Sequence, residues 1–309
     1  MNLTSSEIGR LGEIATLYEV AGYPKPGNVH RTQNFKNMYF EDFLVSSVVI
    51  KDNLEQVAQK TFKCYPNSLN EINLGQNILN CVKETSNLVN TNTNLGICML
   101  LIPIASAVAT LVNQNSINSL ADNLDVLIKN TQVNDAIALT NSIKISEAGG
   151  MENKPSKYDI NDKDTIDEII ENKITMYDLL KFSEKYDKIS YELVNKLPVI
   201  TKIGYPEYIN TLNDFSRNDA TIQTFLTILA NVPDTLISRK YGEEISNNVT
   251  KTAKKILDNT DIGTKERLDA LNKFDSYLYN KKYNPGTTAD FTAASIFVGL
   301  LDKYFKTGI

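Results

Sequence analysis

Apolar residues recur along this chain at intervals of three and four, and few stretches alternate with period two. Ile8, Leu11, Ile14, Ala15 and Tyr18 share one helical face, with Ser5 or Ser6 as the expected N-cap. That helix should stop at Gly22, because Tyr23-Pro24-Lys25-Pro26-Gly27 cannot continue it. Helices are predicted from near Phe40 to near Phe62, ended by Pro66-Asn67-Ser68, and then from Leu69 to Leu88. A polar stretch, 90–94, precedes the most apolar run, Ile97 to Val112, read as a central buried helix kinked at Pro103. Ile117–Lys129 and Asp135–Ile145 follow, and Gly149-Gly150 ends the regular pattern.

Residues 152–167 are rich in Lys, Asp, Asn and Pro, which predicts an exposed loop and the best place for any domain boundary. Beyond it the periodicity predicts helices near Met176–Tyr186, Tyr205–Asp214, Ala220–Asn231, Glu243–Asn259, Lys265–Asn280 and Thr288–Lys306. No internal repeat of fixed period interrupts this style. The expectation is a single all-α domain over 1–309, built from about a dozen helices.

Charge and cysteines narrow the function classes. A formal charge of −5 argues against a general nucleic-acid binder, which needs a basic surface excess. The run from Ile97 falls short of the roughly 20 residues that span a bilayer and contains Pro103, Ser106 and Thr110, so it belongs in a core. The N-terminal residues show no basic-then-apolar pattern, so a cytoplasmic protein is expected. Cys64, Cys81 and Cys98 are odd in number and far apart, which reads as buried thiols rather than a disulfide framework or a zinc site.

Three segments place Gly, Pro, Asn and charge between apolar helices. In Pro24-Lys25-Pro26-Gly27-Asn28-Val29-His30 the prolines stiffen the loop, Gly27 allows close backbone approach, and Lys25 offers a mobile cation. His30 is the only histidine, which excludes a multi-histidine metal site. A rigid helix connector with an exposed lysine is the alternative on spacing alone. Asn92-Thr93-Asn94-Leu95-Gly96 precedes the buried helix, where amides cap free N–H groups or leave them for an anion. Asn284-Pro285-Gly286-Thr287-Thr288-Ala289-Asp290 reads as a capping box between Thr287 and Asp290, or as a phosphate or magnesium site using Asp290. A weaker candidate, Asp234 to Gly242, pairs Asp234 with Arg239 and Lys240. No Walker loop or GxGxxG is present.

Taken together and in order, these segments resemble the triphosphoribosyl-dephospho-CoA synthase family. The matching residues are Pro24–Val29, Asn92-Thr93 with Gly96, Asp234 with Arg239 and Gly242, and Asn284–Gly286 with Ala289-Asp290; Asp135-Ala136-Ile137 and Gly149-Gly150-Met151 resemble its middle region. The resemblance implies an all-helical transferase that joins the ATP ribose to the 2′-hydroxyl of 3′-dephospho-CoA and expels adenine. It implies nucleotide contacts from Lys25, Gly27, Asn28, Asn92, Thr93, Asn94, Gly96, Arg239, Asn284, Gly286 and Thr287. Asp234 or Asp290 would hold Mg²⁺, and catalytic roles would fall to His30, Asp234 and Asp290. No nucleic-acid or membrane partner is implied, and a homo-oligomer is compatible with the pattern. Two departures stand out. Asn94-Leu95 occupies the place of a His-Lys pair, and Phe35-Lys36-Asn37-Met38 that of a His- and Asp-bearing element. The runner-up reading is a non-catalytic nucleotide- or metabolite-binding protein on the same scaffold.

Overall fold

The computed structural model describes residues 3–89, 91–114, 116–146, 162 and 164–307. Among them the fold is helical, with two isolated bridges and no strand. The helices are α1 (Ser5–Ala21), α2 (Phe40–Cys64), α3 (Leu74–Ser86), α4 (Leu95–Ala109), α5 (Leu120–Lys129), α6 (Val133–Ser146), α7 (Thr165–Glu171) and α8 (Met176–Ser183). There follow α9 (Lys188–Val194), α10 (Tyr205–Asp214), α11 (Arg217–Asn231), α12 (Thr235–Tyr241), α13 (Glu243–Asn259), α14 (Lys265–Lys281) and α15 (Gly286–Thr307). Gly149-Gly150-Met151 and most of 152–167 lie outside the described residues.

The long periodic segments fold as the pattern predicts, and the corrections are local. The cap of α1 is Thr4, one residue before the expected serines. Thr4 Oγ1 accepts the Glu7 N–H at 3.2 Å, and Glu7 Oε2 accepts the Thr4 N–H at 2.7 Å, a reciprocal capping box. The helix expected from Leu69 begins at Leu74, because Leu69–Glu71 is a 3-10 turn and Asn73 sits at φ 55°. Three helices of seven residues, α7, α9 and α12, were not expected. Each is too short to show a full apolar period, yet each buries a side chain: Ile169 from α7, Leu193 from α9, and Ile237 from α12.

The chain divides into two compact units interleaved along its length. One comprises Met1–Ile14, Val45–Leu197 and Leu300–Ile309; the other comprises Ala15–Leu44 and Pro198–Gly299. In the first unit α4 is buried nearly along its whole length, including Pro103. There α3 lies so close to α6 that a Cβ on Gly75 would stand 2.2 Å from the Asp135 carbonyl oxygen. The Asp135 carboxylate accepts the Gly75 and Gln132 N–H groups, each at 2.8 Å, tying the starts of α3 and α6 together. The second unit centres on Phe225, Leu226 and Leu229 of α11, Ile237 of α12, Val249 of α13, and Leu271, Phe274 and Leu278 of α14.

Candidate active site

Three of the four predicted segments lie in the second unit, and their contacts define the candidate site there. Lys25 departs most from expectation: it is fully buried and is not a mobile cation. Its Nζ is ion-paired with the Glu19 carboxylate and donates to the Glu19 carbonyl oxygen at 2.9 Å. The last turn of α1 therefore folds back over the loop that leaves it. Burial pushes the Lys25 amine down, opposed by Glu19 and by the nearby Asp290 carboxylate. Burial likewise pushes the Glu19 carboxyl up, opposed by Lys25.

Gly27 also has a structural reason for its identity. It adopts φ 75°, and an added Cβ would stand 2.6 Å from the Tyr283 carbonyl oxygen and 2.7 Å from the Leu278 side chain. Its backbone is therefore close to α14 rather than open to a ligand. The Gly27 N–H donates to Asp275 Oδ1 at 2.8 Å, and Gln33 Nε2 donates to the same oxygen at 2.9 Å. Asp275 Oδ2 faces His30 Nε2 at 3.3 Å. The Thr32 N–H points at His30 Nδ1 at 3.4 Å, which makes Nδ1 the acceptor and leaves the ring proton on Nε2, donated to Asp275. Both ring nitrogens are thus engaged. His30 holds the loop on α14.

The late segment is fixed by Asp234, whose carboxylate serves two helices. Oδ1 accepts the N–H groups of Leu236 and Ile237 at 2.9 and 3.1 Å and so caps α12. Oδ2 accepts the N–H and hydroxyl of Thr288 at 2.8 and 2.9 Å, satisfying a first-turn donor of α15. Burial pushes this carboxyl up, and those hydrogen bonds with the Arg239 charge oppose it. Four bonds occupy its oxygens, so Asp234 caps two helices at once, where the sequence reading expected a metal ligand or catalytic acid. The capping box expected between Thr287 and Asp290 is displaced for the same reason. The helix already starts at Gly286, and the Thr287 hydroxyl pairs with that of Thr235 at 2.9 Å.

The loop and the late segment meet directly, because Asn28 Nδ2 donates to Asn284 Oδ1 at 2.9 Å. Asp290, one turn into α15, is partly exposed, as is Arg239 in the last turn of α12. Among the described residues no group of three His, Cys, Asp or Glu side chains is arranged to hold a metal ion. A magnesium ion carried on a polyphosphate needs only one or two protein carboxylates, and Asp290 is a partly exposed carboxylate whereas Asp234 is buried.

Asn92, Thr93, Asn94 and Gly96 belong to the first unit. Asn92 Oδ1 accepts the Leu95 N–H at 3.2 Å, Asn94 Nδ2 donates to Thr85 Oγ1 at 2.7 Å, and Thr93 hydrogen-bonds Ser46. These bonds start α4 and tie it to α2 and α3. The sequence reading missed Glu19, Gln33 and Asp275. For Asp275 a signal existed: it shares a helical face with Leu271, Phe274 and Leu278, where a carboxylate in a core position calls for buried donors.

Comparison with known proteins adds the family. A family model described as ATP:dephospho-CoA triphosphoribosyl transferase matches residues 5–308. A crystal structure from Archaeoglobus fulgidus, provisionally described as a triphosphoribosyl-dephospho-CoA synthase, superposes with a TM-score of 0.58 at 24% identity. The match covers 80% of this chain and 97% of that one. No curated protein gives a significant match.

Proposed function

Since this chain belongs to the ATP:dephospho-CoA triphosphoribosyl transferase family, we propose that its second unit binds ATP beside the Asn28–Asn284 contact and transfers the triphosphoribosyl group to dephospho-CoA. The observation that carries this reading is the meeting of the Pro24–His30 loop, the Asp234 helix and the Asn284–Asp290 segment within one compact unit. These are the only Pro/Gly/Asn-rich interruptions of the helices there that also match the family.

The roles follow from the chemistry of each group and its place in the unit. Arg239 on α12 neutralises the triphosphate, for which a planar guanidinium is suited. Asn28 and Asn284 spend one amide donor and one amide acceptor on each other. Their remaining polar atoms, one acceptor and one donor among them, orient ribose or phosphate oxygens. Asp290 is the carboxylate closest to solvent in the cluster and faces the sugar centre. It stabilises positive charge as adenine departs and takes the proton of the attacking hydroxyl. Magnesium, when bound with ATP, adds charge neutralisation at the phosphates. Lys25, Glu19, His30, Asp275 and Asp234 hold these groups in place from the interior. The loss of the family's His-Lys pair at Asn94-Leu95 removes basic groups from the first unit, which leaves the phosphate charge to Arg239 and the metal. Cytoplasmic residence suits such an enzyme, and no helix among the described residues is long and apolar enough to cross a membrane.

The test is Asp290→Asn. With saturating Mg-ATP and dephospho-CoA, adenine release should fall about 100-fold in a variant that keeps the parent's helical ellipticity. An unchanged rate would remove Asp290 from the chemistry.

A further inference from the structure

Outside the candidate site, the first unit brings two cysteines together that the sequence separates. Cys81 lies on α3 and Cys98 on α4, both fully buried, with their sulfurs 3.1 Å apart. Both are thiols, and the third cysteine, Cys64, is only partly buried. The pair sits between helices that are already tied at the start of α4, where Asn94 donates to Thr85. Two thiols in contact at the centre of a close-packed helix pair need little backbone movement to join.

We propose that Cys81 and Cys98 are a modification site, converted by hydrogen peroxide into an intramolecular disulfide that locks α3 to α4. One thiol gives up its proton and its sulfur attacks a peroxide oxygen; the O–O bond breaks, the departing hydroxide takes up that proton and leaves as water, and a sulfenic acid forms on the sulfur. The neighbouring thiol then attacks the sulfenic sulfur, the S–O bond breaks, and a second water leaves. The two cysteines lose two electrons and two hydrogens, and the peroxide is reduced by the same two electrons. Because neither sulfur reaches solvent, the oxidant enters through local opening, so the reaction is slow and favours small peroxides over bulky disulfides. The closed loop contains the segment from the middle of α3 through Asn92–Gly96 to the first turn of α4. Oxidation therefore restricts the same segment that the family pattern marks.

The experiment treats the full chain with hydrogen peroxide, quenches, denatures, alkylates with iodoacetamide and measures intact mass. Reduced protein should carry three adducts. Treated protein should show a species with both Cys81 and Cys98 unlabelled, a linked Cys81–Cys98 peptide after digestion, and full labelling recovered by dithiothreitol. Cys64→Ser should form the same linkage and end with no adduct. The oxidised protein should also melt at a higher temperature. Three adducts after treatment, sulfinic or sulfonic acid at either position, or a linkage through Cys64 would each overturn the proposal. This test does not depend on the assigned enzymatic activity, so the two can fail separately.

Discussion

Replacing Asp275 with alanine should destabilise the protein far more than its place on a surface-facing helix suggests. The carboxylate receives the Gly27 N–H, Gln33 Nε2 and His30 Nε2. His30 and the Gly27–Asp275 bond are buried, so alanine strands at least two donors away from water. At about 1–3 kcal/mol for each stranded donor, with Gln33 able to find water, the expected loss is about 2–5 kcal/mol. Asp275→Asn is the informative partner. Its Oδ1 can keep Gly27 and Gln33, while its Nδ2 opposes the His30 N–H unless the ring changes tautomer. Asparagine should therefore cost only about 1–2 kcal/mol. The assay is urea unfolding followed by helical ellipticity, with hydrogen exchange at the Gly27 amide as a local readout. Exchange at that amide should accelerate in the alanine variant and stay slow in the asparagine variant. A loss under about 1 kcal/mol in Asp275→Ala, or equal losses in both variants, would refute the idea that Asp275 anchors the loop.

Lys25→Met should leave Glu19 buried without its partner and cost about 3–5 kcal/mol in urea unfolding, with part regained in the Glu19→Gln/Lys25→Met double variant; a surface-like loss would contradict the buried pair. Asp234→Ala should uncap α12 and release Thr288 together, lowering stability by about 2–4 kcal/mol, and a loss no larger than a single cap would mean that one of the two sets of bonds is not formed. In the first unit the Tyr304 hydroxyl donates to Glu7 at 2.5 Å, and that bond to the carboxylate pushes the tyrosine up to about 12. The folded protein holds this proton more tightly than the unfolded chain, so the stability it contributes is present below pH 10 and is lost as pH rises towards 12. Melting curves between pH 8 and 12 should show this loss in the parent and a flatter profile in Tyr304→Phe; parallel profiles would exclude the linkage.

Periodicity made most helices legible, since amphipathic segments of ten or more residues repeat their apolar face several times. The seven-residue helices α7, α9 and α12 carry too little of that signal. The breaks between the compact units fall inside α1, α2 and α15 and between Leu197 and Pro198, because the chain returns to each unit and contacts distant in sequence decide the grouping. At the site, the segments themselves were readable, but the roles of individual residues depended on partners elsewhere. Lys25 looked like a mobile cation on a stiff loop, whereas Glu19, six residues earlier, takes it into the interior. Asp234 looked like a ligand because it precedes cations, whereas Thr288, 54 residues later, occupies one of its oxygens. Residue type and spacing disclose that a group can bind; only the fold discloses what it is already bound to.

The central claim is that this chain transfers the triphosphoribosyl group of ATP through the site built around Asn28, Asn284 and Asp290. The most direct measurement incubates the purified protein with Mg-ATP, with and without dephospho-CoA, and quantifies free adenine by chromatography and the acceptor by mass spectrometry. The account predicts adenine only when the acceptor is present, one for each acceptor that has gained a triphosphoribosyl group. ATP binding without adenine release in the complete mixture would contradict it.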